Sequence, residues 1–226
     1  MKELINTFNN IDCMDFMESL PNNSMDFSLT DIPYDGVTRK TGGLRQLKTL
    51  NIMGAADKKT FDEVNFIKEL YRITKNSGCI FCGYQQIAAI WEYLETQKCT
   101  IRIVTYIKSN PSPANGQYVY LNGTEVGIWF KKKGAKVFNA HCKNPVFKCS
   151  VPSGKNRIHK TQKPDKLWEE LIKDNSNEGD IIFDPCAGSG ITARIAKNLK
   201  RNFICCELDK EIFEISSAYL KKLNVL

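Results

Sequence analysis

Short apolar runs and segments with helically spaced apolar residues alternate along most of the 226-residue chain. Runs of strand length bounded by turn residues predict strands at 25–31, 79–84, 101–109, 124–132, 180–185 and 202–208. Spacings of three and four residues predict helices at 61–76, 85–97, 166–173, 190–200 and 210–223. Strands that alternate with helices predict an α/β fold with a mostly parallel sheet, in a single domain over 1–226.

The composition, 42% hydrophobic and 25% charged, is that of an ordinary globular protein. No apolar run approaches the roughly 20 residues of a spanning helix, so we expect no membrane segment. The nine cysteines are odd in number and the N-terminal residues lack a signal-type apolar core, so we expect reduced thiols in the cytoplasm. Cys79 and Cys82 lie in a predicted buried strand without a second ligand pair, which favours core cysteines and no metal.

The net charge of +7 is unevenly distributed. Residues 131–163 include ten Lys or Arg and no acid, and residues 36–59 include six against a single Asp. Because each neutralised phosphate releases a counterion, this segregation favours a polyanion-binding face, and two solvated lysine-rich loops are the alternative. Interleaved aromatic rings add stacking surface and favour nucleic acid. These rings belong to Tyr118, Tyr120, Phe130, Phe138 and Phe147.

A glycine turn follows the predicted strand that ends at Asp184. Gly188, Ser189 and Gly190 lead directly into a helix, whose N-terminus offers free N–H groups to a ligand. Glu207 closes the next predicted strand, where a carboxylate can accept hydrogen bonds from both hydroxyls of a ribose. The combination predicts an adenosine cofactor, with an unliganded turn as the alternative. Fewer than 40 residues follow the turn, so most strands must precede it, as in a circularly permuted sheet.

A second group of candidates, Asp31, Ile32, Pro33 and Tyr34, ends the predicted strand 25–31. Pro33 biases Ile32 towards an extended backbone, which projects the Ile32 carbonyl outward. A carboxylate and a carbonyl beside an aromatic ring suit an exocyclic amino group on a flat base. The alternative is a turn capped by Asp31, with Tyr34 in the core.

Three motifs occur in one order: D-I-P-Y at 31–34, H-K-T-Q-K-P at 159–164 and F-D-P-C-A-G-S-G at 183–190. These motifs and their order resemble those of the amino-methylating DNA methyltransferases of the permuted β class. The resemblance covers nearly the whole chain. The resemblance implies a Rossmann-like, S-adenosylmethionine-dependent methyltransferase fold, circularly permuted, with helices on both faces of a twisted sheet. It also implies site-specific methylation of N6 of an adenine flipped out of DNA, as in restriction–modification systems.

The resemblance further implies roles for particular residues. Asp31 and the Ile32 carbonyl accept the N6 hydrogens, and Pro33 and Tyr34 complete the catalytic corner. The N-terminal segment supplies the strand next to the one that ends at Glu207. Expected cofactor contacts are Asp12, Cys13, His159, Thr161, Gln162, Lys163, Asp184, Pro185, Cys186, Gly188, Ser189, Gly190 and Glu207.

DNA contacts are expected from the two basic segments. We expect residues 36–60 to form a mobile loop that closes over the duplex, and residues 132–158 to form a short target-recognition segment. The basic residues expected to bind DNA are Arg39, Lys40, Arg45, Lys48, Lys143, Lys148, Lys155 and Arg157.

Two positions depart from the family pattern. Ile32 replaces the first proline of D-P-P-Y, and Cys186 and Ala187 precede the first glycine of the turn. Because the carbonyl of residue 32 is expected to matter, we expect activity to survive and a proline at 32 to be tolerated. Asp31 at the start of the corner favours adenine. Cytosine N4 methylation, methylation of RNA or a small amine, a non-catalytic nucleic-acid-binding relative and a homodimer stay open.

Overall fold

The computed structural model describes residues 2–33, 61–113, 116–152 and 162–226. The predicted mobile loop at 36–60 lies outside these ranges. The strands are β1 (Thr7–Asn10), β2 (Met25–Asp31), β3 (Thr74–Cys82), β4 (Thr100–Lys108), β5 (Thr124–Lys131), β6 (Val146–Cys149), β7 (Ile181–Asp184) and β8 (Asn202–Glu207). The helices are α1 (Cys13–Glu18), α2 (Glu63–Ile73), α3 (Ile87–Thr96), α4 (Asp165–Asn175), α5 (Ile191–Asn198) and α6 (Lys210–Lys222), after a 3-10 turn at Lys2–Leu4.

These strands form one sheet in the order β1-β8-β7-β2-β3-β5-β4-β6. Among the described strands, only β5 runs antiparallel to its neighbours, which confirms the predicted α/β fold with a mostly parallel sheet. β1 lies beside β8 with Asn10 opposite Glu207, as the resemblance implied. The interpretation of this order as a circular permutation rests on that resemblance.

Two neighbouring strands bring the predicted motifs to the same edge of the sheet. β2 ends at Asp31, β7 ends at Asp184, and Phe27 pairs with Ile182. From β7 the chain continues to β8 on one side, and from β2 it continues to β3 on the other side. Ligands of α/β proteins bind outside the carboxyl ends of strands where the connections diverge in this way. The glycine turn and the D-I-P-Y corner therefore flank the expected binding crevice.

The apolar residues pack in two clusters, one on each face of the sheet. Helices α1, α2 and α3 cover one face through side chains such as Leu70 and Ile90. Helices α4, α5 and α6 cover the other through side chains such as Trp168, Ala193 and Leu220. At about 1.5–3 kcal/mol for each large apolar side chain removed from water, these two layers stabilise the arrangement. The prediction of helices on both faces is confirmed.

Two elements, α1 and β6, were not predicted, and β3 begins inside the predicted helix 61–76. Helix α2 ends at Ile73 and is capped by Thr74, whose hydroxyl and backbone N–H both donate to the Leu70 carbonyl. The first residues of β3 include Asn76 and Ser77, which are buried. Because both residues are polar, the sequence pattern does not show where the strand begins. β6 occupies part of the predicted recognition segment 132–158 and pairs with β4. That part of the segment belongs to the sheet.

All nine cysteines are free, and Cys79 and Cys82 are buried in β3. Across the described ranges, the helices are too short or too polar to cross a membrane.

Asn175, the last residue of α4, joins that helix to the sheet. Its Oδ1 accepts from Trp129 Nε1 at 2.7 Å and from Ser77 Oγ at 3.2 Å, and its Nδ2 donates to the Leu171 carbonyl at 2.9 Å. Asn175→Ala leaves two buried donors without this acceptor. We therefore expect the free energy of unfolding, measured by urea denaturation, to fall by about 2–4 kcal/mol.

Lys173→Ala is the matched control on the same helix. It removes an exposed ion pair with Glu169 at 2.5 Å, so the free energy of unfolding should change by less than about 0.5 kcal/mol. Equally small losses in both variants would show that Asn175 does not hold α4 on the sheet.

Candidate active site

Two glycines in the left-handed backbone region shape the turn after β7. Gly188 has φ 49° and Gly190 has φ 71°, values that residues with a side chain rarely adopt. A Cβ on Gly190 would lie 2.7 Å from Leu220 Cδ1, whereas no atom of the described residues lies within 4 Å of a Cβ built on Gly188. The turn is thus packed at Gly190 and open at Gly188, where a ligand can approach the backbone.

Glu207 fastens the glycine turn to the end of β8. Its Oε2 accepts from the Gly188 N–H at 2.8 Å, and its Oε1 accepts from the Asp209 N–H at 2.9 Å. Burial raises the pKa of Glu207, and the backbone N–H donors act in the opposite direction. Each carboxylate oxygen can accept a second hydrogen bond, so Glu207 retains capacity for two hydroxyl groups. The glycine turn and Glu207 are therefore in contact, as the sequence predicted.

The carboxylate of Asp184, an expected cofactor contact, faces the interior of the protein. Its Oδ1 accepts from the Cys186 N–H at 3.2 Å, and its Oδ2 accepts from the Thr192 hydroxyl at 2.5 Å. Thr192 in turn accepts from Trp168 Nε1 at 2.8 Å. Burial raises the pKa of Asp184 to about 7. Asp184 thus holds the backbone of the turn from the interior of the protein. Pro185, the next residue, is also buried.

Asp12 and Cys13 approach the turn from the end of β1. Asn10, the last residue of that strand, lies opposite Glu207. Asp12 caps α1 by accepting a backbone N–H at 2.9 Å. The neighbouring Cys13 thiol and burial both raise the pKa of Cys186. The N-terminal segment therefore lies beside the end of β8, as the sequence analysis expected. The glycine turn also contains Ser189, which is buried.

Asp31 belongs to a row of alternating charges at the crevice. Lys163, only 4% exposed, contacts Asp31 Oδ2 and lies 3.0 Å from Glu125 Oε2, and Lys108 lies 2.9 Å from Glu125 Oε1. Burial raises the pKa of Asp31, although Lys163 opposes this. Burial alone would also raise the pKa of Glu125, but Lys163 and Lys108 hold it below its ordinary value. Lys163 thus contacts the predicted catalytic carboxylate, and its expected contact with the cofactor stays a prediction.

Glu125 and Lys108 were missed by the sequence analysis. Each stands at the end of a predicted strand, and β4 and β5 pair so that Tyr106 lies opposite Glu125. One acid and one base at the same end of two neighbouring apolar strands are the signal that could have identified them.

The D-I-P-Y corner is held by backbone contacts as well as by its carboxylate. The Ile32 N–H donates to the Phe81 carbonyl at 3.0 Å, and the Ile32 side chain is buried. Gln86 Nε2 donates to the Pro33 carbonyl at 3.0 Å. A proline at 32 would lose the bond to Phe81, so the expected tolerance of proline there carries a cost in stability that the sequence did not show.

The two predicted DNA-binding lysines that the structure describes have different surroundings. Lys143 lies 2.7 Å from Asp174 and 3.0 Å from Glu170, so its charge is already compensated. Lys148 is exposed on β6, and we retain it as a candidate phosphate contact. Gln162, beside Lys163, is partly buried. Other predicted site residues lie outside the described ranges, namely Tyr34, Arg39, Lys40, Arg45, Lys48, Lys155, Arg157, His159 and Thr161.

This geometry coincides with a sequence match. A model of the N6/N4 methyltransferase family, described as DNA methylase, matches residues 25–218. The chain belongs to this family. The methylase is 29% identical to the Type II methyltransferase M.HinfI of Haemophilus influenzae, over 99% of this chain and 72% of that protein. It is 26% identical to the Type II methyltransferase M2.DpnII of Streptococcus pneumoniae, over 94% of this chain and 88% of that protein.

Solved structures resemble the methylase over most of its length. The crystal structure of the M1.HpyAVI–SAM complex is 27% identical, with a TM-score of 0.71 over 95% of this chain and 99% of that chain. The PvuII DNA methyltransferase, titled cytosine-N4-specific, has a TM-score of 0.73 at 15% identity over 93% of this chain and 84% of that chain. The PvuII similarity concerns the fold alone. Together these findings confirm the predicted methyltransferase family and its Rossmann-like fold.

The raised pKa of Asp184 in the methylase predicts a pH-dependent stability. Because the folded state binds this proton more tightly than the unfolded state, whose pKa is near 3.8, the contribution of Asp184 to stability falls as the pH rises from about 4 towards 7. The slope can reach about 1.4 kcal/mol per pH unit. Asp184→Asn removes the titration. The difference in free energy of unfolding between the two proteins should therefore move in favour of the variant across this window.

Urea denaturation at half-unit pH intervals measures that difference. Subtracting the two curves removes the contribution of every other carboxyl group, and any constant cost of the substitution leaves the slope unchanged. A difference that stays flat from pH 4 to 7 would contradict the raised pKa.

Proposed function

We propose that this methylase transfers a methyl group from S-adenosylmethionine to N6 of adenine in DNA. The observation that carries the proposal is the state of Asp31. Its Oδ2 is held by Lys163, while its buried Oδ1 has no hydrogen-bond partner among the described residues. A buried acceptor without a donor costs free energy, and the amino group of a substrate base would supply that donor.

Three features around the glycine turn fit S-adenosylmethionine. The open side of Gly188 admits a ligand, the remaining acceptor capacity of Glu207 suits ribose hydroxyls, and Asp12 and Cys13 stand where the resemblance implies the adenine ring. When bound, the cofactor supplies a methyl group on a positively charged sulfonium. The solved SAM complex of M1.HpyAVI, 27% identical over 95% of this chain, supports the assignment.

Asp31 and the Ile32 carbonyl would position the reacting amine once the base is flipped out of the duplex. Each accepts one N6 hydrogen, which turns the nitrogen lone pair out of conjugation with the ring. The nitrogen forms the new bond to the methyl carbon as the sulfur–carbon bond breaks, and Asp31 accepts the proton that the nitrogen then loses. Burial raises the pKa of Asp31, which makes it a better proton acceptor than an exposed aspartate. Positioning and electrostatics supply the acceleration.

The choice of base and the recognised sequence are further parts of the proposal. Asp31 at the start of the corner supports adenine, and cytosine N4 is the alternative outcome. The segment 132–158 is too short for a large recognition domain, so within residues 1–226 the candidates for recognition are that segment, residues 36–60 and a second copy in a homodimer. Relatives named Type II methyltransferases support a restriction–modification role. The reduced cysteines support a cytoplasmic location.

Single-molecule sequencing tests the reaction directly. Expressed in a bacterial host without adenine methylation, the chain should leave N6-methyladenine at one defined sequence context. Asp31→Ala should remove the modification while S-adenosylmethionine affinity, measured by calorimetry, stays within about threefold, because Asp31 faces the base. Modified cytosine would select the alternative base, and no modified base at all would contradict the proposal.

Glu207→Ala is the complementary control, since it should act on the cofactor. Loss of hydrogen bonds to a charged acceptor should weaken S-adenosylmethionine binding by about 1.5–3 kcal/mol in the same calorimetric titration. Unchanged affinity would remove Glu207 from the cofactor site.

The contact between Lys163 and Asp31 predicts a shift in the pH profile of kcat/KM for DNA. Asp31 must be ionised to accept the N6 hydrogen, and Lys163 lowers the pKa that burial has raised. Lys163→Gln removes the cation, so the pKa of Asp31 rises and the acid limb of the profile should move to higher pH.

Glu125→Gln provides a control of opposite sign in the same row of charges. Glu125 raises the pKa of Asp31, so its neutralisation should move the acid limb to lower pH. Circular dichroism must first show that both variants fold, because breaking a buried ion pair can cost about 3–5 kcal/mol. Two folded variants whose acid limbs both match the wild type would contradict the assigned role of Lys163.

A further inference from the structure

The connection between β4 and β5 exposes a run of large apolar side chains that the proposed reaction does not use. In residues 116–121, which we call the aromatic turn, Tyr118 is 80% exposed, Val119 62% and Tyr120 fully exposed. The chain from Ser109 to Thr124 contains no charged residue. Contiguous exposed apolar groups of this kind mark interaction sites.

The aromatic turn is held at its root. Tyr84 Oη donates to the Thr124 carbonyl at 3.1 Å, and the Lys108 N–H donates to the Gly123 carbonyl at 2.8 Å. Leu121 folds back on the turn, since its Cδ2 would lie 2.8 Å from a Cβ built on Gly116. The two tyrosine side chains therefore project from a turn whose ends are held by these contacts.

The aromatic turn lies at the same edge of the sheet as Asp31. It leads through Thr124 to Glu125, which pairs with Lys163, and Lys163 contacts Asp31. β5 is two strands away from β2 in the sheet, a separation of roughly 10 Å. The aromatic turn therefore leaves the sheet on the side where a substrate held at Asp31 would lie.

An exposed basic residue lies beside this uncharged loop. Asn110 Oδ1 accepts from the Val151 N–H at 2.7 Å, and Ser109 and Ser150 are hydrogen-bonded at 2.8 Å. These bonds tie the loop to the residues that directly follow β6, the strand that carries the exposed Lys148. An uncharged aromatic tip beside an exposed cation is complementary to DNA, whose phosphates carry the charge and whose bases offer flat apolar faces.

We propose that the aromatic turn stacks on DNA bases at the position from which the target adenine is extruded, with Tyr120 as its main contact. The inference rests on the proposed function. Extrusion of a base breaks its stacking with the neighbouring bases. An aromatic ring placed against the exposed neighbours recovers part of that stacking without depending on their identity. The aromatic turn would therefore stabilise the duplex in its opened form.

The test compares two oligonucleotide duplexes that contain the mapped target site. In one the target adenine is paired, and in the other it faces an abasic site, so that less stacking and pairing must be broken. Tyr120→Ala should lower kcat/KM on the paired duplex about tenfold or more and on the abasic duplex less than about threefold. Tyr120→Phe, which keeps the ring, should stay within about twofold of the wild type on both. S-adenosylmethionine affinity should not change.

The double variant Tyr118→Ala/Tyr120→Ala covers the case in which one ring replaces the other. Wild-type rates for this double variant on the paired duplex, or equal losses on both duplexes, would overturn the inference. A lower molar mass by light scattering together with equal losses would assign the aromatic turn to contact with a second copy. A wild-type protein that methylates neither duplex would instead refute the proposed function.

Discussion

The pairing of β2 with β7 is the contact on which the rest of the site depends. Asp26 Oδ2 accepts from the Ile181 N–H at 2.9 Å across 155 positions of sequence, and Phe27 lies opposite Ile182. Because the strands are parallel, the corner at Asp31 and the glycine turn leave the sheet at one edge. A slip of one residue would turn every side chain of either strand to the opposite face. The register therefore fixes which groups can meet in the crevice.

Asp31 and Asp184 illustrate how surroundings assign different roles to the same residue type. Both carboxylates end neighbouring strands, and burial raises the pKa of each. Asp31 faces a lysine, and its Oδ1 has no donor among the residues that the structure describes, whereas Asp184 is surrounded by hydroxyl and N–H donors of its own chain. The first is suited to exchange partners with a substrate, and the second stabilises a turn.

The parts of the molecule that follow from local pattern were predictable from sequence. Strand β2 was predicted with its observed bounds because apolar residues recur at every second position along it, and the turn around Gly188 and its link to Glu207 followed from motif and spacing. The partners of Lys163 and Lys143 were not predictable, because a charge pair depends on which distant strands and helices become neighbours. The inward orientation of Asp184 was missed for the same reason.

Backbone details were also beyond the sequence pattern. The hydrogen bond from the Ile32 N–H to Phe81 depends on the register of β2 against β3. Polar residues buried at the start of β3 obscured its beginning, and β6 is too short to show a period.

The pairing of β1 with β8 has a consequence for how the chain folds. Asn10 Nδ2 donates to the Glu207 carbonyl across 197 positions of sequence, so this edge of the sheet cannot close until the residues up to 207 have been synthesised. Strands β2, β3, β4 and β5 can associate earlier, because their partners lie close in sequence. Contacts of such long range slow folding, and until β8 arrives the edge of β7 stays open to association with other chains. Assembly of the cofactor half is therefore the expected late step of biosynthesis.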